Sequence, residues 1–304
     1  MQERDKEFSG VGSWLALLAI LWLYLFWCLI PSWDSEGYYG YGWMVGPASL
    51  FFFWRRLEPV RDGKIPSVDG RAGWPPVVGL LAFLVVLIPL RMVEFADSSW
   101  RPPLWLHAML VVGLSHFVIA WKLGWKYSMF FVPATIYALT AVPYPWQIEQ
   151  LLVRKLTGGV IQIAGELFNL FGRPVTVLGE TLESMGTVVE VTEGCSGIRS
   201  FQSLLMSALF FGELFRLRWF YRVLLLVIGV AAAVVMNTGR AMTLARIRFD
   251  EGEVAFNAAH DNVGFLSFGL SAVVLLIAAK ICSERPERRR VLRRTTVKAQ
   301  APES

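Results

Sequence analysis

Residues 221–239 read YRVLLLVIGVAAAVVMNTG, and Arg222 is the single charged side chain in this run. A run of about 20 apolar residues is long enough to cross the hydrocarbon core of a bilayer as an α-helix. The whole chain has the same character, because 55% of its 304 residues are hydrophobic and its mean hydropathy is +0.49. Soluble domains rarely contain such a large apolar fraction. The sequence therefore predicts an all-α polytopic membrane protein.

Further segments repeat this apolar pattern, so that about eight transmembrane helices are expected in all. The other spans are predicted at about residues 13–30, 40–54, 74–90, 103–121, 126–143, 197–215 and 263–281. We interpret residues 13–282 as one membrane domain. A cytoplasmic N-terminus over residues 1–12 precedes it, and a basic cytoplasmic tail over residues 283–304 follows it.

The distribution of Lys and Arg predicts the orientation of these spans. Cytoplasmic loops of membrane proteins are enriched in basic residues. If the N-terminus is cytoplasmic, most basic side chains fall in cytoplasmic segments, including those of the tail after Cys282. We therefore expect a multi-pass protein of the cell membrane (inner or plasma membrane) with both termini in the cytoplasm. The lipid bilayer is the expected partner of the apolar surface, and no nucleic-acid partner is predicted.

Residues 144–196 differ from the spans and are predicted to be extracytoplasmic. Over residues 146–171, apolar side chains are interspersed with charges and amides in the pattern of an amphipathic helix that lies in the outer membrane interface. Residues 175–177 and 189–192 then alternate with the period of a β-strand. The pattern therefore predicts a short interfacial helix and a β-hairpin that lead to Cys195.

Residues 193–197, EGCSG, place a cysteine in a turn of small residues directly before an apolar helix. The N-terminus of a helix carries partial positive charge, which favours a thiolate. Cys195 is therefore a candidate nucleophile, whereas Cys28 and Cys282 lie in apolar segments and are expected to be buried. The spacing of the three cysteines fits neither a zinc site nor a disulfide framework, so no metal or organic cofactor is predicted.

The predicted topology brings Arg240 and His260 to the same membrane surface as Cys195. The spans 197–215 and 221–239 run in opposite directions, so Arg240 returns to the side on which Cys195 stands. The next loop stays on that side and ends at His260. His260 fits a general base for the thiol and a general acid for a leaving amine. Arg240 stays charged, so it fits stabilisation of a thiolate, an oxyanion or a substrate carboxylate.

Four further residues near these three are candidates for supporting roles. They are Glu193, Ser196, Arg199 and Asn237. Arg199 lies about one turn after Cys195 and competes with Arg240 for the thiolate. Each main candidate also has a structural interpretation. Cys195 fits an inert residue at a helix start, His260 fits a surface histidine, and Arg240 fits a side chain that extends to lipid headgroups.

Two other histidines lie within the predicted span 103–121. His116 is in the middle of the span and needs a polar partner, because an ionisable side chain is costly at membrane depth. The sequence does not identify that partner. His107 is expected nearer the outer surface, at the membrane interface.

Three motifs together resemble the signature of the exosortase/archaeosortase family. They are residues 191–200, VTEGCSGIRS, residues 237–240, NTGR, and residues 260–264, HDNVG. Residues 46–56 are also similar to an early region of that family. The resemblance covers most of residues 13–282, and it implies a membrane-embedded cysteine peptidase or transpeptidase.

The catalytic Cys, Arg and His of that family correspond by motif to Cys195, Arg240 and His260. The resemblance implies exported proteins as substrates, each with a C-terminal sorting signal made of a short motif such as Pro-Glu-Pro, a transmembrane helix and a basic cluster. It implies cleavage through a thioester, followed by transfer to an acceptor nucleophile that the sequence does not identify. Many members have a residue other than Gly before the Cys, so Gly194 leaves the recognised motif open.

Other functions are also compatible with a polytopic helical chain. They are a transporter, a non-catalytic scaffold for envelope assembly or export, and a membrane acyl- or glycosyltransferase that uses His260. A transporter requires paired ionisable residues deep in several spans, whereas the predicted spans carry few. A scaffold would give Cys195 a structural role, so a Cys195→Ser variant would separate it from an enzyme.

Overall fold

The computed structural model describes residues 2–34, 39–61, 74–97, 100–190 and 198–299. Within these ranges the chain is helical apart from a small sheet. The helices are α1 (Gln2–Asp34), α2 (Gly42–Arg61), α3 (Pro75–Ala96), α4 (Arg101–Leu123), α5 (Trp125–Leu139), α6 (Trp146–Leu170), α7 (Ile198–Leu214), α8 (Trp219–Glu251) and α9 (Glu253–Ala299). The strands are β1 (Thr176–Leu178), β2 (Thr181–Ser184) and β3 (Thr187–Glu190).

Five helices of the described chain are long and apolar enough to cross a membrane. They are α1 from Gly12 onward, α3, α4, α8, and α9 as far as Ser283. Each of them contains one of the spans that the sequence predicts. The chain is therefore a multi-pass membrane protein built from helices.

The other predicted spans, at residues 40–54, 126–143 and 197–215, are not confirmed. The helices found there are α2, α5 and α7. With 15 residues in α5 and 17 in α7, both are shorter than the roughly 20 residues that a bilayer crossing needs. The last turns of α2 carry charged side chains, namely Arg55, Arg56 and Glu58. Apolar runs in the sequence therefore predict eight spans, whereas five helices of the described residues have the length and polarity of a span.

The chain divides into two compact units, residues 1–149 and 150–304. In the first unit, α4 packs against α1, α3 and α5, while α2 packs against α1 and α5. The core of this unit is aliphatic and aromatic, with Leu25, Phe52, Phe131 and Tyr137 almost completely buried. The sequence folds in this way because each helix has apolar side chains on the faces that meet its neighbours.

The two histidines of the first unit both have polar partners on adjacent helices. His116 lies between Ser128 and Thr135 of α5, with Nδ1 2.9 Å from Ser128 Oγ and Nε2 3.1 Å from Thr135 Oγ1. These are the polar partners that its mid-span position requires. His107 is completely buried within the protein, and its Nδ1 lies 3.3 Å from Oε1 of Glu94, while its level relative to the membrane interface stays a prediction.

Polar contacts also fix the segment that leads into α6. The Tyr39 hydroxyl donates a hydrogen bond to Glu149 Oε2 at 2.7 Å and accepts one from the Tyr144 N–H at 2.9 Å. The Arg101 guanidinium forms an ion pair with the same Glu149 carboxylate. Burial, together with the hydrogen bond to Glu149, raises the pKa of the Tyr39 hydroxyl far above its usual value. Tyr39 is therefore neutral over the physiological pH range.

In the second unit, α7, α8 and α9 pack against one another. Leu204 of α7, Leu225 of α8 and Leu275 of α9 are all almost completely buried in their shared core. A buried ion pair stabilises the turn between α7 and α8, where an Arg222 N–H donates to Glu213 Oε2 at 2.8 Å and the Arg222 Nε–H donates to the Leu217 carbonyl at 2.7 Å. The connection between these two helices is therefore rigid.

The segment between α6 and α7 contains a three-stranded antiparallel sheet in the order β1-β2-β3. The predicted two-stranded hairpin is not confirmed, because residues 181–184 form an additional strand between the two predicted ones. The sheet packs on α6 and α8 through buried side chains, among them Ile161, Leu182 and Val189. Gly165 of α6 permits this close approach, since a Cβ there would collide with Val177 of β1. The sheet and the helices of this unit therefore share one core.

Candidate functional site

Two of the three main candidate residues are in contact. Arg240 lies in α8 and His260 in α9, and the Arg240 NH2 nitrogen is 3.1 Å from His260 Nε2. Both side chains are partly buried. The juxtaposition of these two residues, which the sequence predicts from topology, is therefore present as a direct side-chain contact.

The hairpin formed by α8 and α9 positions this pair. Gly252, with φ of 87°, ends α8 and allows α9 to begin at the next residue; a positive φ of this kind is readily adopted only by glycine. Arg240 precedes this turn by about 18 Å and His260 follows it by about 12 Å, at a rise of 1.5 Å per residue. Two antiparallel helices then place both side chains on facing surfaces, well away from the turn.

The pair lies where the hairpin changes from apolar to polar. α8 has 33 residues, or about 50 Å, whereas the hydrocarbon core of a bilayer is about 30 Å thick. Its apolar run ends at Met236, and its last two turns carry Arg246, Arg248 and Asp250. Arg248 pairs with Glu253 of α9 at 2.9 Å. The predicted loop between residues 240 and 260 is therefore mostly helix, and charged side chains surround its short turn.

Gly264 makes room for the Arg240 guanidinium. A Cβ added at Gly264 would lie 3.4 Å from both Cζ and the NH2 nitrogen of Arg240, and 3.5 Å from its Nε. Gly264 lies one helical turn after His260, so the two residues share a face of α9. This contact gives a physical reason for the spacing of His and Gly in the motif of residues 260–264. The imidazole contacts one NH2 nitrogen of the guanidinium, and the helix surface at Gly264, which has no side chain, lies against the guanidinium.

A carboxylate and an aromatic ring also contact His260. Its Nδ1 atom is 3.0 Å from Oδ1 of Asp261, whose side chain is 85% exposed. The Phe256 ring lies one turn earlier, with its centroid 6.0 Å from that of the imidazole. Phe256, Ala259 and Val263 pack against the core that α6, α8 and the sheet share. This packing fixes the helix on both sides of His260. Sequence reasoning missed Asp261, although its position directly after the histidine was a signal.

Asn237 occupies the same helix as Arg240, about one turn earlier, and its side chain is buried. The neighbouring Thr238 is also buried, and its Oγ1 atom has no hydrogen-bond partner among the described residues. Polar side chains are costly in an apolar interior unless they are hydrogen-bonded. A buried polar patch therefore precedes Arg240 on α8.

The remaining predicted residues lie partly or wholly outside the described chain. Cys195, Glu193 and Ser196 are outside the described residues, and Arg199 is described only as a backbone position in the first turn of α7. The flanks are described, because β3 ends at Glu190 and α7 begins at Ile198. The two ends of the cysteine segment are thus anchored in the same unit as Arg240 and His260.

Within the described residues, no cluster of three or more His, Cys, Asp or Glu side chains could hold a metal ion. Two other arginines of this unit form ion pairs away from the Arg240–His260 contact. Arg173 forms an ion pair with Asp250 at 2.8 Å, and Arg222 pairs with Glu213 at the opposite end of α8. The chemistry available at the described site is therefore that of a guanidinium, an imidazole and a carboxylate.

Comparison with family models gives a match to the transmembrane exosortase family over residues 33–277. Comparison with curated proteins and with solved structures gives no match for this chain. The matched region includes both members of the Arg240–His260 pair, the sheet and the segment with Cys195. It spans well over half of the chain and agrees with the motifs at residues 191–200, 237–240 and 260–264. The chain belongs to the transmembrane exosortase family, and it is a sorting-related membrane protein.

Proposed function

We propose that this protein cleaves the C-terminal sorting signal of exported proteins and transfers the released carboxyl end to an acceptor nucleophile. Family membership supports the class of substrate, namely proteins that end in a short motif, a transmembrane helix and a basic cluster. The contact of 3.1 Å between Arg240 and His260 is the observation that carries the chemical part of the proposal. This contact brings the permanently charged guanidinium of Arg240 next to the imidazole of His260, which can transfer protons.

Cys195 is the proposed nucleophile. Its thiolate attacks the carbonyl carbon of the scissile peptide bond, and a tetrahedral oxyanion forms. The C–N bond then breaks, the leaving amine takes a proton from His260, and the carboxyl side of the substrate remains on Cys195 as a thioester. An amine acceptor, or water, attacks the thioester carbonyl and releases the thiol. In the first half of the cycle His260 takes the proton of the Cys195 thiol and gives it to the leaving amine. In the second half it takes a proton from the acceptor and returns it to the Cys195 sulfur.

Arg240 and His260 have complementary roles in this scheme. The guanidinium stabilises the charge that develops on the carbonyl oxygen, because preorganised positive groups act most strongly where charge appears in the transition state. In the structure, however, a guanidinium N–H is directed at His260 Nε2. That nitrogen is the natural acceptor for the thiol proton. We infer that substrate entry draws the guanidinium from the imidazole to the carbonyl oxygen, which frees Nε2 to act as a base.

The site is proposed to face the extracytoplasmic side of the inner or plasma membrane, with both termini in the cytoplasm. The apolar part of α8 ends just before Asn237, which supports a location near a membrane surface rather than in its centre. The signal helix of the substrate would then lie in the bilayer beside α7, α8 and α9, with its basic cluster in the cytoplasm. Its scissile bond would reach the level of Arg240 and His260.

The supporting residues have more limited proposed roles. Glu193 and Ser196 flank the nucleophile in sequence; Glu193 is proposed to orient the substrate or the imidazole, and Ser196 to support the nucleophile. Asn237 is buried on the same helix as Arg240, so it is proposed to position the backbone of the cysteine segment or the substrate. Arg199 remains a second candidate for pairing with the thiolate.

The test is processing of a co-expressed membrane protein that carries a motif–helix–basic-cluster signal, followed by intact mass measurement. Wild type is compared with Cys195→Ala, Arg240→Ala and His260→Ala at matched expression. Cys28→Ala and Arg246→Ala are matched controls, since Cys28 lies in α1 and the Arg246 side chain is 75% exposed. We expect loss of processing in the three site variants only, and the product mass shows whether an acceptor was added.

Processing that continues in Cys195→Ala would refute the enzymatic proposal. The same result would favour a non-catalytic role in envelope assembly or export.

A further inference from the structure

His260 makes contacts through both nitrogens of its ring. Nε2 faces the Arg240 guanidinium at 3.1 Å, and Nδ1 faces Oδ1 of Asp261 at 3.0 Å. The two partners come from opposite sides of the ring, one on α8 and the other on α9 itself. The imidazole is therefore held between a cation and an anion.

The chemistry of these partners decides which ring nitrogen carries the proton. A guanidinium has only N–H donors, so the nitrogen that contacts Arg240 must be the acceptor. A carboxylate at neutral pH has only acceptors, so the nitrogen that contacts Asp261 must be the donor. Both requirements are met by one neutral tautomer, in which Nδ1 carries the hydrogen and the lone pair of Nε2 accepts from the guanidinium. In the opposite tautomer both contacts would be repulsive.

We propose that Asp261 is a positioning residue that holds His260 in the Nδ1-protonated tautomer, so that Nε2 is the atom that exchanges protons during catalysis. The catalytic part of this inference rests on the proposed function, whereas the tautomer follows from the contacts alone. Asp261 accepts the Nδ1 hydrogen and stabilises the imidazolium when Nε2 takes up a proton. Orientation of a catalytic base by a third group is a general feature of activated nucleophile sites.

The charged groups nearest to this hairpin in sequence have contacts of their own. On α8, Arg248 pairs with Glu253 near the turn, and Arg246 lies 3.6 Å from Asp250. On α7, Glu213 pairs with Arg222 at the far end of the bundle. Asp261 is thus the carboxylate that the described contacts place at the imidazole.

The exposure of Asp261 makes the inference straightforward to test. Its side chain is 85% exposed, and substitutions of such residues usually change stability by about 0.5 kcal/mol or less. Loss of function in an Asp261 variant would therefore not come from misfolding. Removal of a group that orients a metal-ligating histidine costs about 10–100-fold. By analogy, and because solvent screens an exposed carboxylate, we expect an effect near the lower end of that range, about tenfold.

The first measurement is nitrogen NMR of ¹⁵N-histidine-labelled protein in lipid nanodiscs. The chain contains three histidines, and a His260→Gln spectrum assigns the signal of interest. We expect a protonated Nδ1 and an unprotonated Nε2 in wild type, and a smaller share of that tautomer in Asp261→Ala. A wild-type spectrum with a protonated Nε2, or an unchanged tautomer ratio in Asp261→Ala, would overturn the proposal. This readout does not depend on any enzymatic activity.

The second measurement is the processing rate of the co-expressed signal-bearing substrate. We expect Asp261→Ala to lose about tenfold in rate, since it lacks the orienting carboxylate. Asp261→Glu should recover most of the loss, and Asn262→Ala, an exposed neighbour on α9, should match wild type. If Asp261→Ala processes at the wild-type rate while His260→Ala does not, the inference fails and the proposed function stands. If Cys195→Ala also processes normally, it is the proposed function that fails.

Discussion

Gly264 offers the sharpest test of the Arg240–His260 geometry, because a side chain added there moves the Arg240 guanidinium while Arg240 and His260 themselves stay unchanged in sequence. The proposed perturbation is Gly264→Val. In the structure a Cβ at this position already lies 3.4 Å from Cζ of Arg240. Carbon atoms in favourable contact are about 3.5–4.0 Å apart, so this distance leaves no room for further atoms.

The size of the displacement can be worked from that distance. Each γ-methyl of valine lies about 1.5 Å beyond Cβ, and one directed at the guanidinium would come within roughly 2 Å of it. The guanidinium must therefore move by more than about 1 Å, and a displacement of that size costs on the order of 100-fold in rate when it misplaces a catalytic group. Gly264→Ala adds only the Cβ and should keep most of the activity.

The assay is the processing rate of the signal-bearing membrane substrate at matched levels of enzyme. Gly269→Val is the matched control, because Gly269 also lies in α9 and a Cβ there has no neighbour within 4 Å. We expect Gly269→Val to process like wild type. If Gly264→Val processes the substrate at the wild-type rate, with the variant and wild type equally abundant in the membrane, the role assigned to the position of the Arg240 guanidinium is refuted.

Other consequences of the structure can be measured without the substrate. Glu213→Ala leaves buried Arg222 without its carboxylate, so the free energy of unfolding should fall by about 3–5 kcal/mol in a chemical denaturation series. Gly165→Val would push the sheet away from α6, and limited proteolysis should cut the sheet faster than in Gly158→Val, where a Cβ has open space. The raised pKa of Tyr39 contributes stability that is complete below the unfolded value of about 10 and is lost as pH rises above it. The thermal midpoint should therefore decline less steeply above about pH 10 in Tyr39→Phe than in wild type.

The membrane helices were predictable where an apolar run is long and almost free of charge. The run in α8 is an example, because the predicted span 221–239 lies within α8, although the helix continues to Glu251. The spans predicted at α5 and α7 are not confirmed, because the sequence shows where apolar character continues but not where a helix ends. In α2, Arg55 and Arg56 argue against a span, but the length of the apolar run before them favoured one.

The contact between Arg240 and His260 was predictable from topology, whereas the path between them was not. Residues 246–253 were interpreted as part of the loop between the spans 221–239 and 263–281. In the structure Arg246 and Asp250 are four residues apart on α8, and Arg248 pairs across the turn with Glu253. Pairs with this spacing stabilise a helix. The Arg246–Asp250 spacing is therefore compatible with a helix that continues to Glu251.

The missed strand has a similar explanation. Residues 181–184 alternate only briefly, so they were interpreted as part of the connection between two strands. Gly179 and Gly186 both have positive φ, at 62° and 81°. Each glycine therefore supports a tight turn. Because each turn reverses the chain, residues 181–184 between the two turns run antiparallel to both β1 and β3 and pair with them. The buried Leu182 of that strand contributes to the core with α6 and α8.

Side-chain partners were the least accessible part from sequence. His107 and Glu94 lie on different helices, so the contact between them depends on how α3 and α4 pack. Asp261 is adjacent to His260 in sequence, but its contact depends on the rotamers of both side chains. Such contacts require coordinates, since sequence spacing alone does not fix the rotation of a helix.

The most direct test of the central claim is capture of the covalent intermediate. The signal-bearing substrate is co-expressed with the protein, and the membrane fraction is analysed by denaturing gel and mass spectrometry before and after treatment with hydroxylamine, which cleaves thioesters. We predict a conjugate of protein and substrate that hydroxylamine releases, that maps to Cys195 and that Cys195→Ala abolishes. A conjugate that persists in Cys195→Ala would contradict the account.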